Sequence, residues 1–441
     1  MAPEQAPTSE PNANMENHFD ALETRSPTER ERGLMAALAK QVIHARTSTP
    51  AFAELLSSVG STDIQDRKAL SRLPVTRKHE DFMARQKARR SPQEIFGGYA
   101  AIGWKGHAIP TGVKRVFQSP GQIYEPEGFR GDFERMARAM FAAGFRAGDL
   151  VHNSFSYHLT PAGAMMESAA LALCCAVFPG GVGNTELQLQ AIQDLQPACY
   201  VGTPGFLRTL IERAKDLGMP PLSFRSALVS GEAFPPAARE WLASHGVSAY
   251  QCYVTAELGL IAYETEAREG MVVDEGIILE IVRPGTSEVV TDGEVGEVVV
   301  TSLNPDYPLI RFGTGDLSAI LPGTCPTGRT NIRIKGWLGR ADQTAKIRGM
   351  FVHPSQVVET MRRHPELTRV RLVISGGQAG DAWSADQMVL KAETATPSDA
   401  LAGTLVNTMR SLTKLRSDVE LVPIGTLPND GKIIDDQRKL S

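Results

Sequence analysis

The sequence predicts an α/β fold: a large N-terminal domain with a mostly parallel sheet and a β-rich subdomain, followed by a small α+β C-terminal domain. Three observations carry this. From residue 131, helical runs alternate with short apolar segments, the signature of βαβ units and a parallel sheet. After residue 256 the helical runs stop and short β-rich pieces follow, which suits an antiparallel or mixed region beside the main sheet. The last hundred residues then mix helices and strands within one short block. A chain of 441 residues is also too long for one ordinary core.

Taken in order, residues 1–20 are polar, lack an apolar leader segment and read as a frayed tail. The large domain is expected over 21–341 and the small one over 342–441. Residues 20–100 read as mostly helical, with a loop at LSRLPVTRKHEDF (70–82). FQSPGQIYEPEG (117–128), rich in glycine and proline, reads as a turn leading into the helix FERMARAMFAAGF (133–145). DLVHNSF, CCAVFP, ACYVG, RSALVS and VSAYQCY are the strands of the alternating region. PAGAMMESAALAL, TELQLQAIQDLQ, GFLRTLIERAKDLG and FPPAAREWLASHG are its helices, with apolar residues recurring at helical spacing. LGLIAYE, MVVDEG, IILEIV and GEVVVTS supply the β-rich part. HPSQVVETMRRH and DALAGTLVNTMRSLTKL are helices of the last block, and RVRLVIS, DQMVLKAE and DVELVP its strands.

With Lys+Arg 46 against Asp+Glu 50, the charge balance gives no footprint for nucleic acid or a polybasic membrane contact. Five cysteines, with no CxxC or Cys/His spacing, argue against zinc and for a reduced, cytoplasmic setting. The longest apolar run, near 170–178, is too short to span a bilayer.

Four stretches exceed what packing requires. SGEAF (230–234) follows the strand RSALV, where an α/β sheet presents backbone to ligands; an ordinary strand-to-helix turn is the competing account. YQCYVTAELG (250–259) sets Tyr253 four residues before Glu257. A tyrosine ring can stack on a purine and a carboxylate can hold Mg²⁺, although a core tyrosine beside a solvated glutamate fits equally. IRFGTGDLSAI (310–320) reads as a turn whose glycines lead to Asp316, a carboxylate suited to two ribose hydroxyls or to a structural Gly-Asp turn. GWLGRADQTAKIRGMFVHPSQVVE (336–359) gathers Arg340, Asp342, Lys346, Arg348 and Gly349 at the domain junction, either as a solvated face or as a hinge that meets phosphates. A fifth feature, TLPNDGKIID (426–435), places Lys432 after Gly431 in a polar loop.

In this order and spacing, YxxxE, GTGDL, GRADQxxKxRG and a terminal GK resemble the adenylate-forming superfamily of acyl-CoA synthetases, nearest its phenylacetate-CoA ligase branch. The flanking text LPVTRKHEDF, HNSFSYHLTPAG, FPGGVGNTELQLQAIQDLQP and TPGFLRTLIERAKDLG extends the likeness from about residue 35 to the end. The resemblance implies an ATP-dependent, AMP-forming ligase that activates an aryl or acyl carboxylate and passes it to CoA, with Mg²⁺ at the phosphates. It implies that Ser230, Gly231 and Glu232 border the adenine, Tyr253 packs on it, and Glu257 holds Mg²⁺. Asp316 would accept from the ribose, and Arg340 would meet ribose or phosphates. Asp342 would be the hinge of a mobile small domain. Lys432 would contact the carboxylate and α-phosphate in one orientation, and the Arg348–Gly349–Met350 loop would line the pantetheine tunnel in the other.

By position Phe155, Tyr157, His158, Met165 and Met166, with Gly180 and Gly181, would surround the acyl group; core filling is the alternative for the methionines. Relatives of this branch suggest a homodimer. The chain departs from the family in one region. GHAIPTGVKRVFQSPGQIYEPEG (106–128) lacks the SSGTTGxP phosphate loop, leaving Thr111, Gly112, Lys114, Ser119, Gly121 and Tyr124 as candidates. Ala256 stands where a hydroxyl is usual and Val254 where glycine is usual. Two other functions share these features: loading a carrier-protein thiol, or non-catalytic acyl or nucleotide sensing. The Gly431–Lys432 pair argues against the sensor.

Overall fold

A computed structural model describes residues 17–60, 64–89, 94–104, 112–119, 123–341, 343, 345–347, 350–376, 386–428 and 432–438. Its main sheet has nine strands. Five run parallel, in the spatial order Ala176–Phe178, Leu150–Asn153, Cys199–Gly202, Ser226–Val229 and Ser248–Thr255. Gly259–Tyr263, Met271–Val273, Arg333–Ile334 and Ile320–Leu321 extend it antiparallel.

The inner strands are apolar on both faces because helices cover both. Successive side chains of a strand point to opposite faces, and here they feed two different cores. Cys199, Val201 and Leu228 pack with Met140, Met165 and Phe145 on one side. Tyr200, Ala227 and Val229 pack with Leu189, Leu207 and Leu242 on the other. The helices Ala162–Ala172, Thr185–Leu195, Pro204–Asp216 and Pro236–Ser244 follow their strands as the alternation predicts.

A second, four-stranded sheet has the order Thr76–Arg77, Phe312–Ser318, Gly296–Ser302, Ile277–Val282. A third, Asp418–Val422, Gln387–Thr394, Leu367–Ser375 and Ile434–Asp436, packs with helices Pro354–Arg363 and Asp399–Thr413 around its own core of Leu372, Leu390, Leu405 and Met409. The expected α/β class with a β-rich part and a small α+β block is therefore what forms.

Several local expectations change. The loop expected over 70–82 contains the strand Thr76–Arg77, which pairs with Phe312 and Gly313. The helix expected over 133–145 is only Ala137–Ala142. Asp132 (φ 48°) and Arg135 (φ 65°) break its first turn, the Asp132 carboxylate accepts from Ala137 N–H at 3.0 Å, and the Glu134 carbonyl accepts from Leu260 N–H instead of a helical partner. The stretch 117–128 does not run from a loop into a helix. Strands Arg115–Ser119 and Ile123–Glu127 form an antiparallel hairpin, with Ser119 opposite Ile123. Pro126 is tolerated there because a two-stranded ribbon is all edge. Residues 310–320 are not a turn, since Thr314, Gly315 and Asp316 lie within the strand Phe312–Ser318.

Residues 17–20, read as part of the tail, are held to the body. Phe19 packs on the main core, His18 Nε2 lies 3.0 Å from Thr327 O, and Asp20 forms a bidentate pair with Arg138 at 2.8–2.9 Å. All five cysteines are free thiols, and no described helix is long and apolar enough to cross a membrane.

Candidate active site

Three adjacent parallel strands, ending at Gly202, Val229 and Thr255, present their carboxyl ends together, where open α/β sheets bind ligands. The SGE turn follows the middle one. Gly231 has φ +88°, a conformation that favours glycine, and a Cβ there would lie 3.8 Å from the Phe155 ring. Ser230 Oγ donates to Cys252 O at 3.0 Å, tying this turn to the next strand. The Glu232 carboxylate accepts from Gly205 N–H at 3.0 Å, at the start of helix Pro204–Asp216.

The four-stranded sheet brings Asp316 to the same region. The pairing of Gly296–Ser302 with Phe312–Ser318 shifts register between Glu297 and Val299, and Gly315 within it has φ +74°. Such a bulge re-aims the following side chain. Asp316 Oδ2 accepts from the Tyr253 hydroxyl at 2.7 Å. Its Oδ1 accepts from Trp337 Nε1 at 2.9 Å and Arg340 Nη1 at 2.8 Å, while Arg340 also donates to Thr314 O. Burial, then the Asp316 charge, pushes the Tyr253 phenol well above its ordinary range, so it stays a neutral donor. An ionised carboxylate offers about four acceptor positions. With three donors engaged, one position is left for a further donor such as a sugar hydroxyl.

Tyr253, Asp316 and Arg340, far apart in sequence, are thus one group, and Trp337 completes it unanticipated. The only sequence signal for Trp337 is its indole just ahead of Arg340, in a stretch where charges drew the reading.

Glu257 is not a solvated carboxylate. Its side chain is fully buried and its Oε1 lies 2.6 Å from Lys78 Nζ. Ser119 is buried at the hairpin turn beside Glu125. Gly121, Thr111, Asp342, Arg348, Gly349 and Gly431 lie outside the described residues. Lys432 is 56% exposed, with its ammonium 3.5 Å from Asp435, just ahead of the strand Ile434–Asp436. The linker side chain Gln343 accepts from Ile433 N–H at 2.9 Å and from Ile434 N–H at 3.4 Å.

Around the proposed acyl position, Phe155 and Tyr157 are organised by Asn153. Its carboxamide donates to the Tyr157 hydroxyl and to Gly163 O, both at 2.8 Å, and its oxygen accepts from Phe155 N–H. Burial, then the bond to Glu167, raises the Tyr157 phenol above its ordinary range. Met165 and Met166 are 3% and 1% exposed in the main core, as the core-filling alternative has it. His158 is exposed on the chain turn, with its backbone N–H held by Ser156.

The glycine turn at 180–183 is clamped by a residue the sequence reading passed over. Gln188 donates to Gly181 O at 3.0 Å and Gly183 O at 2.7 Å, and its oxygen faces His152 Nε2 at 2.7 Å. Gly180 is required here, because a Cβ would meet Gln188 Oε1 at 2.8 Å and His152 Nε2 at 2.9 Å. Burial lowers the His152 pKa, which keeps that imidazole neutral. A glutamine on the buried face of an otherwise amphipathic helix, just after GGVGN, was the available signal.

The carboxyl ends of adjacent parallel strands are thus joined by a re-aimed acid from a second sheet. The AMP-binding enzyme family profile matches residues 134–304. The chain is similar to curated phenylacetate-CoA ligases. A phenylacetate-coenzyme A ligase of Aromatoleum evansii is 35% identical over 240 residues, 53% of this chain and 54% of the relative, so that match spans about half of the relative's length. One from Escherichia coli is 27% identical over 439 residues, 94% and 96% of the two chains. A solved 2-hydroxyisobutyryl-CoA ligase, in complex with 2-HIB-AMP and CoA in the thioesterification state, superposes with a TM-score of 0.83 at 23% identity, over 99% of this chain and 96% of that one.

Proposed function

We propose that the chain is an ATP-dependent, AMP-forming ligase that activates a carboxylic acid as its acyl-adenylate and transfers the acyl group to CoA. The observation that carries the reading is Asp316, held by Tyr253, Trp337 and Arg340 with one acceptor position left at the strand ends. The phenylacetate-CoA ligase relatives support the reaction class. The adenylate and CoA in the superposed ligase support the same two-step chemistry.

In this reading Asp316 and Arg340 hold the ribose, and the Tyr253 ring covers the base beside Gly231. The substrate carboxylate attacks the α-phosphorus and pyrophosphate leaves. Lys432 then donates to the oxygens that gain charge; one well-placed donor of this kind stabilises a transition state by about 3–4 kcal/mol. Glu257 is the buried oxygen donor that would hold Mg²⁺, in place of the Lys78 ammonium that lies 2.6 Å from its Oε1. When bound, Mg²⁺ supplies further stabilisation of phosphate charge. CoA thiolate attack on the mixed anhydride releases AMP. A boundary at 341/342, with Asp342 as hinge and Arg348 and Gly349 facing CoA, belongs to this proposal. So do an aryl acid against Phe155 and Tyr157, a cytoplasmic setting and a homodimer.

One observation favours a second reading, a non-catalytic nucleotide or acyl sensor: the hairpin at 115–127 stands where the family carries its phosphate loop. Pyrophosphate exchange and AMP release with a panel of aryl acids separate the two. Turnover that falls at least 100-fold in Lys432→Ala supports the ligase. Binding without turnover for every acid supports the sensor, and equal activity of wild type and Lys432→Ala refutes the mechanism.

A further inference from the structure

The sheet of the last block is apolar on one face. Val370, Leu372, Leu390 and Ala392 point into its core with Leu405 and Met409. Successive side chains of a strand alternate, so Arg369, Arg371 and Glu393 stand on the opposite face. Such a face is ordinarily left to water, yet Glu393 is 3% and Arg371 7% exposed. What these side chains hold is the chain that leads to Lys432.

Arg369 and Glu393 stand directly opposite one another in the antiparallel pairing of Leu367–Ser375 with Gln387–Thr394. Together they bind both backbone polar groups of a single residue. Arg369 Nη1 donates to Leu427 O at 2.9 Å, and the Glu393 carboxylate accepts from Leu427 N–H at 2.6 Å. Arg371, two residues along the same face, donates to Pro428 O at 3.1 Å. A residue bound at both N–H and C=O is held as a strand partner would hold it. Here the bonds are charge-assisted, about twice as strong as neutral ones. Leu427 is itself buried. On the other side of the lysine, Ile433 O accepts from Leu372 N–H at 2.9 Å, and Gln343 accepts from Ile433 N–H. Lys432 therefore adjoins one fixed point and follows the other, Pro428, after a short span of chain.

We propose that Arg369 and Glu393 are positioning residues for Lys432, fixing the backbone ahead of it so that its ammonium meets the oxygens that gain charge during adenylation. This deepens the reading above and rests on it for the role of Lys432. Misplacing a reacting group by about 1 Å can cost about 100-fold in rate, so a loosened clamp slows adenylation although the lysine is intact. Thioester formation, for which Lys432 has turned away in that reading, does not need the clamp.

The test separates the two half-reactions in the full chain. Pyrophosphate release with ATP and the best-accepted acid of the aryl panel reads adenylation. The synthetic adenylate of that acid, mixed with CoA, reads thioester formation. Arg369→Met is expected to slow adenylation at least tenfold and to leave thioester formation within twofold of wild type. Arg369→Lys, which keeps a donor, is expected to recover most of the loss. Adding Arg369→Met to Lys432→Ala is expected to change adenylation no further, because a residue that acts through the lysine then has nothing to act on. Lys391→Met, which removes the ammonium paired with Glu420 at 3.0 Å on the same sheet, is expected to alter neither step. If Arg369→Met does not fold, Glu393→Gln, which keeps the shape and removes the charge, carries the same expectations. Equal loss in both half-reactions, no loss in adenylation, or a further tenfold loss on top of Lys432→Ala overturns the proposal. If wild type turns over no acid, the ligase reading falls instead, and hydrogen exchange decides the clamp. Faster exchange over 429–434 in Arg369→Met, with Leu367–Ser375 unchanged, supports it, and unchanged exchange over 429–434 overturns it.

Discussion

Asp316→Asn separates the charge of this side chain from its shape. In the native protein Oδ1 accepts from Trp337 and Arg340, and Oδ2 accepts from Tyr253. An asparagine with its oxygen at Oδ1 keeps the first two bonds. Its amide then faces the Tyr253 hydroxyl, which can accept from it and donate instead to Thr314 Oγ1, already 3.2 Å away. No donor is stranded, so the loss is the charge-assisted part of the bonds. Bonds to charged groups contribute about 1.5–3 kcal/mol against about 0.5–1.5 for neutral ones, a difference of about 1–2 kcal/mol in stability. The remaining acceptor position, the one assigned to ribose, becomes an N–H. A nucleotide hydroxyl there loses its anionic acceptor, which costs about 2 kcal/mol and weakens AMP binding about 30-fold. Isothermal titration with AMP and thermal melting of the same samples read the two numbers. AMP affinity within twofold of wild type would show that Asp316 does not bind the nucleotide, whatever the melting temperature does.

Gln188→Leu leaves His152 Nε2 facing apolar carbon and frees the carbonyls of Gly181 and Gly183. It should lower stability by about 1–3 kcal/mol and speed amide exchange at 180–184, measured by hydrogen-exchange mass spectrometry; unchanged exchange would remove the clamp. Glu134 is buried, and burial, with the Glu127 charge second, pushes its carboxyl from 4.5 up to about 8. Because the folded value lies above the unfolded one, its contribution is intact below about pH 4.5 and is lost as pH rises through about 8. Glu134→Gln should therefore melt close to wild type at pH 5 and above it at pH 9, and coincident curves at pH 9 would contradict the assignment.

What could be read from the chain depended on how local each signal was. The strands ACYVG and RSALV, buried on both faces, announce themselves as apolar runs, and their helices carry unbroken periodicity. Tyr253, Asp316 and Arg340 were legible as residue types in short motifs, although Asp316 was assigned to a turn. Its aim comes from a register shift against Gly296–Ser302 that no local pattern encodes. The pairing of Arg115–Ser119 with Ile123–Glu127 was missed because the glycines and prolines of this stretch are also those of a loop before a helix. The Lys78–Glu257 pair was invisible, because its members come from two segments and a lone Lys in sequence reads as solvated.

The bonds from Ile433 and Ile434 to Gln343 change how the terminal lysine is to be pictured. Lys432 is not carried on a slack end of chain. Gln343 holds the chain that follows the lysine, so a rotation of the proposed small domain would carry the two together, as a crank carries its arm. In the proposed two-orientation reading Lys432 would then move with Gln343, and Gln343→Ala would loosen that coupling without touching the lysine.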